Sequence, residues 1–330
     1  MTYSANPKRY QEMPYRPCGN SGLRLPALSL GLWHNFGDID NFETQTELIT
    51  QAFDRGVTHF DLANNYGPPP GSAERNFGRI LHRELAAHRD EIIIASKAGH
   101  YMWEGPYGDG GSRKSLMASI DQSLKRLQTD YVDIFYSHRY DPATPLDETL
   151  GALCDIVRQG KALYIGLSKY PVDKLLYAFN YLRTAGVPCL VYQDRYNMLT
   201  RQVETHHLPA AESNGTGFVA FSPLAQGMLT GKYQNGIPDD SRAARPEGYL
   251  QTGQITDDIT GKVTRLQQIA RQRGQSTGQM ALVWVLRHSA VTSVLVGARN
   301  IRQLDENLDA LRQPGLSDEE TGLIENILRT

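Results

Sequence analysis

Short runs of β-branched and aliphatic residues recur along this chain, separated by segments in which apolar residues return every three or four positions. The runs are Leu28 to Trp33, Thr58 to Ala63, Ile92 to Lys97, Tyr131 to His138, Ala162 to Ser168, Cys189 to Asp194, Gly217 to Ser222 and Ser293 to Ala298. Several are apolar almost without interruption, which suits strands covered on both faces of a parallel sheet better than the alternation of a half-solvated one. Between them, Leu48, Ile49, Ala52 and Phe53 share one helical face, Leu116, Ile120, Leu124 and Leu127 a second, and Met280, Ala281, Trp284 and Val285 a third. Thr144-Pro145-Leu146-Asp147 reads as an N-cap followed by a proline at the first helical position. Ser317-Asp318-Glu319-Glu320 has capping-box spacing for an extra helix at the C-terminus.

Eight strand–helix units in about 280 residues predict a (β/α)8 TIM barrel, a fold that typically needs about 250. A doubly wound nucleotide-binding sheet is the rival, but neither G-x-G-x-x-G nor G-x-x-x-x-G-K-[ST] occurs. Residues 18–330 are expected to form one domain, with 1–17 as an N-terminal extension. Two connections are long, Gly99 to Gly111 after the third strand and about Pro223 to Asp258 after the seventh. Loops that follow barrel strands build the catalytic face.

The 34 Lys and Arg residues balance 36 Asp and Glu, leaving a formal net charge of -2 and no global electrostatic reason to bind nucleic acid or an anionic membrane. Cys18, Cys154 and Cys189 are scattered, without a C-x-x-C pair, and read as ordinary reduced thiols. The first residues are polar, and no window approaches the ~18 apolar residues of a membrane helix. The chain is expected to be soluble and cytoplasmic.

Polar residues at the C-terminal ends of barrel strands point into the catalytic mouth. Here they are Asp61, Lys97, His138, Ser168, Gln193 and Ser222, on the second to seventh strands, with Tyr66 five residues beyond Asp61. Asp61, Tyr66, Lys97 and His138 suit proton transfer. A free phenol, with a pKa near 10, is too weak an acid to protonate a developing alkoxide at neutral pH without a neighbouring cation. Lys97 is the candidate cation; lowering a phenol by ~3 units corresponds to roughly 4 kcal/mol, within reach of one poorly solvated ammonium. Asp61 would hold Lys97 charged and oriented, and His138 would hydrogen-bond a substrate carbonyl. Two other readings share these residues: an Asp–Lys pair that merely closes the barrel beside a core histidine, and a Schiff-base lysine, which would have to be neutral despite Asp61.

The stretches FDLANNYG, Ser96-Lys97, DIFYSHR (Asp133 to Arg139), GLS (Gly166 to Ser168), FSPLAQGMLTGKY (Phe221 to Tyr233) and VGARNIRQLDEN (Val296 to Asn307) resemble the aldo-keto reductases. Within that superfamily the chain is similar to the branch that holds the potassium-channel β subunits and the bacterial L-glyceraldehyde-3-phosphate reductases, NNYGPPPGSAE (Asn64 to Glu74) above all. The resemblance runs in order from about residue 18 to about 310. It implies a TIM barrel and an NADP-dependent carbonyl reductase of small aldehydes, glyceraldehyde-3-phosphate-like or methylglyoxal-like. Asp61, Tyr66, Lys97 and His138 match the family tetrad. Ser168 and Gln193 match the carboxamide-binding pair, Phe221 the ring stacked on the nicotinamide, and Trp33 a lining position. Ser222, Leu224, Gln226, Gly227 and Lys232 match the pyrophosphate loop, while Arg299, Gln303 and Asn307 match the adenosine end.

Two departures stand out. The asparagine that many members carry after the carboxamide serine is here Lys169, and the Lys and Arg that grip the 2'-phosphate elsewhere are Gly297 and Gln303, leaving Arg299 as the candidate. Arg139 and Arg113 are candidates for a substrate phosphate. Retention of His138, where the channel subunits carry Asn, sides with a reductase over a cofactor-binding regulatory module. The expected partners are a small aldehyde and further copies of the chain in a homo-oligomer, with no nucleic acid, membrane or metal.

Overall fold

Strands covered on both faces need a second layer all round, and closing the sheet on itself meets that need without leaving an edge. In the computed structural model, which describes residues 3–239, 241–244 and 250–329, a hairpin comes first, β1 (Tyr15–Pro17) antiparallel to β2 (Arg24–Pro26). Eight parallel strands follow: β3 (Leu28–Gly31), β4 (His59–Asp61), β5 (Ile93–Ala98), β6 (Val132–Ser137), β7 (Ala162–Ser168), β8 (Cys189–Arg195), β9 (Gly217–Phe221) and β10 (Val291–Val296). They pair in sequence order, and β10 returns to β3, closing the barrel. The (β/α)8 architecture is therefore as the hydrophobic pattern predicts. The helices are α1 (Phe42–Asp54), α2 (Ser72–Ile80), α3 (Arg113–Leu127), α4 (Leu146–Arg158), α5 (Val172–Thr184), α6 (His207–Ser213), α7 (Asp257–Gln272), α8 (Thr277–Leu286), α9 (Ile301–Leu308) and α10 (Asp318–Arg329).

Details depart from the pattern for local reasons. The helix after Thr144 starts one residue late, at Leu146, because the Thr144 hydroxyl is spent on Asp141 (2.7 Å) rather than on the helix N-terminus. The Ser317–Glu320 capping box forms in both directions, at 2.7 and 3.1 Å. All of α8 except Gln279 is buried, not one face of it, because α7 packs over it from outside. That outer helix is absent from the sequence pattern above, although Thr256 caps it through the amide of Ile259 (3.3 Å). Asp240 and residues 245–249 of the connection from Pro223 lie outside the described residues.

Side chains alternate across each strand, so one parity faces the barrel interior. The lower interior holds Ala95, Ile134, Tyr136, Val191, Val219 and Leu295, joined from beneath by Cys18 and Leu25 of the hairpin. Thr292 and Ser293 at the start of β10 donate to the carbonyls of Pro17 (3.3 Å) and Pro26 (2.6 Å), pinning the hairpin to the base. Further along the inward parity of β4 to β8 lies the polar set of the mouth, Asp61, Lys97, His138, Ser168 and Gln193. The two parts meet at Tyr136, whose ring occupies the space a side chain at Gly166 would take. Gly166→Ala is expected to overpack this buried contact and destabilise the protein by about 1–3 kcal/mol. The midpoint of urea unfolding measures this, and an unchanged midpoint would show that the interior yields to the added methyl.

Candidate functional site

The barrel ladder continues past the strand ends and fixes the backbone of the mouth. Leu62 donates to Ala95 O (2.8 Å), Asn64 to Lys97 O (2.9 Å) and His138 to Ala98 O (2.8 Å). Asp61 and Lys97 are both buried, at 2% and 0% exposure. The Lys97 ammonium donates to Asp61 Oδ2 at 2.5 Å and to the Leu62 carbonyl at 2.7 Å. Asp61 Oδ1 accepts from Gln193 at 3.0 Å, so both carboxylate oxygens are occupied. Burial pulls Lys97 below the usual lysine range, and Asp61 opposes that pull by favouring the charged form.

Tyr66 sits on the turn after β4, with its ring centroid 5.1 Å from the Lys97 ammonium, 6.4 Å from Trp33 and 5.8 Å from His138, edge-on to the last. The turn is held by the Tyr66 carbonyl, which accepts from Gly71 (3.1 Å). Behind it, buried Glu74 of α2 accepts from Ser96 (2.5 Å) and Arg126 (2.7 Å), anchoring α2 to β5 and α3. His138 is 5% exposed and its Nδ1 is buried without a hydrogen-bond partner. Burial holds it well below the ordinary histidine range, with the charges of Lys97 and Lys169 adding to the effect. It is therefore a neutral imidazole.

The outer ring of the mouth is cationic. His100 lies edge-on to His138 at 4.5 Å, and Lys169 donates to His100 Nε2 at 3.2 Å. Lost hydration, with Lys169 and Arg139 nearby, brings His100 down to about 4. Arg139 donates to Gly99 O (2.7 Å) and Asp109 Oδ1 (2.8 Å), closing the long connection after β5. Arg113 lies on the outer surface, paired with Asp155 at 2.6 Å.

Past β9 the backbone turns left-handed at Ser222 (φ 54°), Ala225 (φ 46°), Gln226 (φ 58°) and Gly227 (φ 96°). Left-handed turns of this kind present backbone N–H groups as an anion-binding concavity. A side chain at Gly227 would meet Lys232 Nζ at 2.9 Å, so glycine lets this lysine fold back over the turn. Leu224 is half-buried beside it. At the start of α9, Gln303 accepts from the backbone amide of Arg299 (3.1 Å), and Asn307 donates to Gly297 O (3.4 Å). Ser168 Oγ is fully buried, with no partner.

The aldo/keto reductase family model matches residues 27–329. This chain belongs to that family. It is 54% identical over 330 residues, covering 98% of this chain and 95% of the relative, to proteins named L-glyceraldehyde 3-phosphate reductase from Escherichia coli K12 and O157:H7. It is also 38% identical over 306 residues, 91% of each chain, to a probable voltage-gated potassium channel subunit beta from Arabidopsis thaliana. A rice protein of the same name is 37% identical over 326 residues, 96% of this chain and 97% of that one.

This aldo/keto reductase thus has an oxidoreductase scaffold whose mouth gathers Asp61, Tyr66, Lys97 and His138 around one buried ammonium. Ser168, Gln193 and Phe221 flank them on the next strands, while the turn after β9 and the start of α9 stand further out. Sequence reasoning did not foresee the Gln193–Asp61 bond or the His100–Lys169 contact, since side-chain pairing across loops leaves no periodic trace. No helix among the described residues is long and apolar enough to cross a membrane, and among them no group of acidic, His and Cys residues is suited to a metal ion.

Deeper in the barrel, His59 is buried against Ser29 (2.9 Å), and burial brings it down to about 4. In the unfolded chain His59 and His138 titrate near 6.5, so as pH drops below about 6.5 unfolding takes up protons and stability falls, for His59 down to about pH 4. Each contributes up to ~1.4 kcal/mol per pH unit in that window, and the partly exposed His100 contributes less. Urea unfolding between about pH 7 and pH 5 is expected to show this slope, reduced by about one proton in His138→Asn; a flat profile would mean that the imidazoles are not buried neutral.

Proposed function

We propose that this protein reduces small aldehydes, glyceraldehyde-3-phosphate-like and methylglyoxal-like, to alcohols with NADPH, Tyr66 being the general acid. The observation that carries the proposal is the buried Lys97 ammonium, fixed by Asp61 at 2.5 Å and Leu62 O at 2.7 Å beside the Tyr66 ring. A poorly hydrated cation stabilises the phenolate left when Tyr66 gives up its proton, so the phenol becomes a stronger acid. Two donors from Lys97 are spent on fixed acceptors, which holds the charge in place through the reaction. Neutral His138 donates a hydrogen bond to the carbonyl oxygen without competing as a proton source.

The dinucleotide, when bound, supplies hydride to the carbonyl carbon. The residues present fit it: the unpartnered Ser168 hydroxyl is buried at the mouth, and the left-handed turn over which Lys232 folds suits a pyrophosphate. Ser168 and Gln193 would take the carboxamide, and Phe221 and Trp33 would flank the ring. Ser222, Leu224, Gln226, Gly227 and Lys232 would hold the pyrophosphate; Arg299, Gln303 and Asn307 would hold the adenosine end. A regulatory role of the channel-subunit type draws on the 38% identity, and steady-state turnover separates the two.

Tyr66→Phe is expected to lower aldehyde reduction by about 10²- to 10⁴-fold, the usual contribution of a general acid, with NADPH affinity nearly unchanged. Residual activity within a few-fold of wild type would remove Tyr66 from this role. Arg299→Ala is expected to weaken NADPH by roughly one to two decades, as for a charge-assisted hydrogen bond, and to leave NADH almost untouched. Fluorescence titration with both cofactors reads this, and equal losses would show that Arg299 does not distinguish them.

A further inference from the structure

The cations of the mouth are not equivalent. Arg139 is committed to Gly99 O and Asp109. Lys169, by contrast, has no carboxylate within ion-pairing distance among the described residues, and its ammonium donates to the neutral His100. Asp194, whose charge acts on Lys169, is itself occupied, accepting from the Tyr192 hydroxyl (2.6 Å) and the Arg195 amide (2.7 Å). An ammonium has three N–H donors, so Lys169 keeps donors for an anion. Its backbone is left-handed (φ 54°), a conformation that a lysine adopts only where the surroundings over-determine it. Its amide donates to Gln193 O (3.3 Å), and its ammonium lies 5.8 Å from the centre of the Phe221 ring.

Tyr66, His138 and His100 are successive ring neighbours in the mouth, at 5.8 and then 4.5 Å between centroids, and the Lys169 ammonium is 3.2 Å from His100 Nε2. A three-carbon aldehyde bearing a phosphate ester on its far carbon spans roughly 5 Å at ordinary bond lengths. With its carbonyl oxygen on His138, its phosphate would lie over His100, within reach of Lys169.

We propose that Lys169 is the residue that selects phosphorylated over uncharged aldehydes, its ammonium binding the substrate phosphate across His100. Arg139 adds a second positive charge from the side without leaving Asp109. The inference rests on the reading of the site as an aldehyde reductase and adds the group that decides among aldehydes.

The test is the ratio of kcat/KM for glyceraldehyde 3-phosphate to that for glyceraldehyde, with NADPH as reductant. Lys169→Met is expected to lower the ratio about 10- to 100-fold, mainly through KM for the phosphorylated substrate, as expected for loss of a charge-assisted contact. Lys169→Arg is expected to restore most of it. Competitive inhibition by glycerol 3-phosphate should weaken in Lys169→Met by the same factor. An unchanged ratio overturns the proposal. So does an equal loss on both aldehydes accompanied by weaker NADPH binding, which would make Lys169 a cofactor contact. Should the wild-type protein reduce neither aldehyde, the reductase reading fails. Calorimetric titration of glycerol 3-phosphate then still decides, equal affinity in wild type and Lys169→Met overturning the role of Lys169.

Discussion

One ammonium without access to water governs the upper half of this barrel. Moving an ion of that size from water into protein costs several kcal/mol after relaxation, and only a close countercharge with further hydrogen bonds offsets it. Lys97 has both, from Asp61 and the Leu62 carbonyl. The surroundings follow from keeping that arrangement intact: Gln193 occupies the second oxygen of Asp61, the neighbouring imidazoles stay neutral, and the polar anchor of Glu74 on Ser96 and Arg126 steadies the helix behind the Tyr66 turn. A hydrophobic pair of equal volume would stabilise the fold as well or better.

Much of this was legible in the chain. Near-continuous apolar runs gave away the parallel strands, and polar residues at or just past the ends of β4 to β8 lie where strand parity directs them, whereas Ser222 falls in the left-handed turn past β9. The Ser317 capping box could be read directly, since its partners are three residues apart. Where partners are far apart in sequence the signal vanishes. His100 and Lys169 are separated by 69 positions, and Gln193 and Asp61 by 132. Helix α7 escaped for a different reason: its apolar residues Val263, Leu266, Ile269 and Ala270 are spaced correctly, but it follows a Gly-, Pro- and Asp-rich stretch that reads as one continuous loop. The hairpin β1–β2, with three residues per strand, is too short for any alternation to show.

The division of labour between the two halves of the barrel explains why family membership alone does not define the substrate. The lower interior is apolar packing around Tyr136 and Gly166 and carries stability. The inner ring of the mouth carries Asp61, Lys97 and His138 on strands or just beyond them, where rigidity is greatest. The outer ring, with His100, Arg139 and Lys169, belongs to loop starts, where a single replacement alters charge without disturbing the ladder beneath.

The hairpin at the base has a consequence for traffic. With Cys18 and Leu25 packed into the lower interior, the barrel is a cup and not a tube. Anything that reaches the Lys97 end of the interior has to come in from the mouth, because the space beneath is filled by packed side chains.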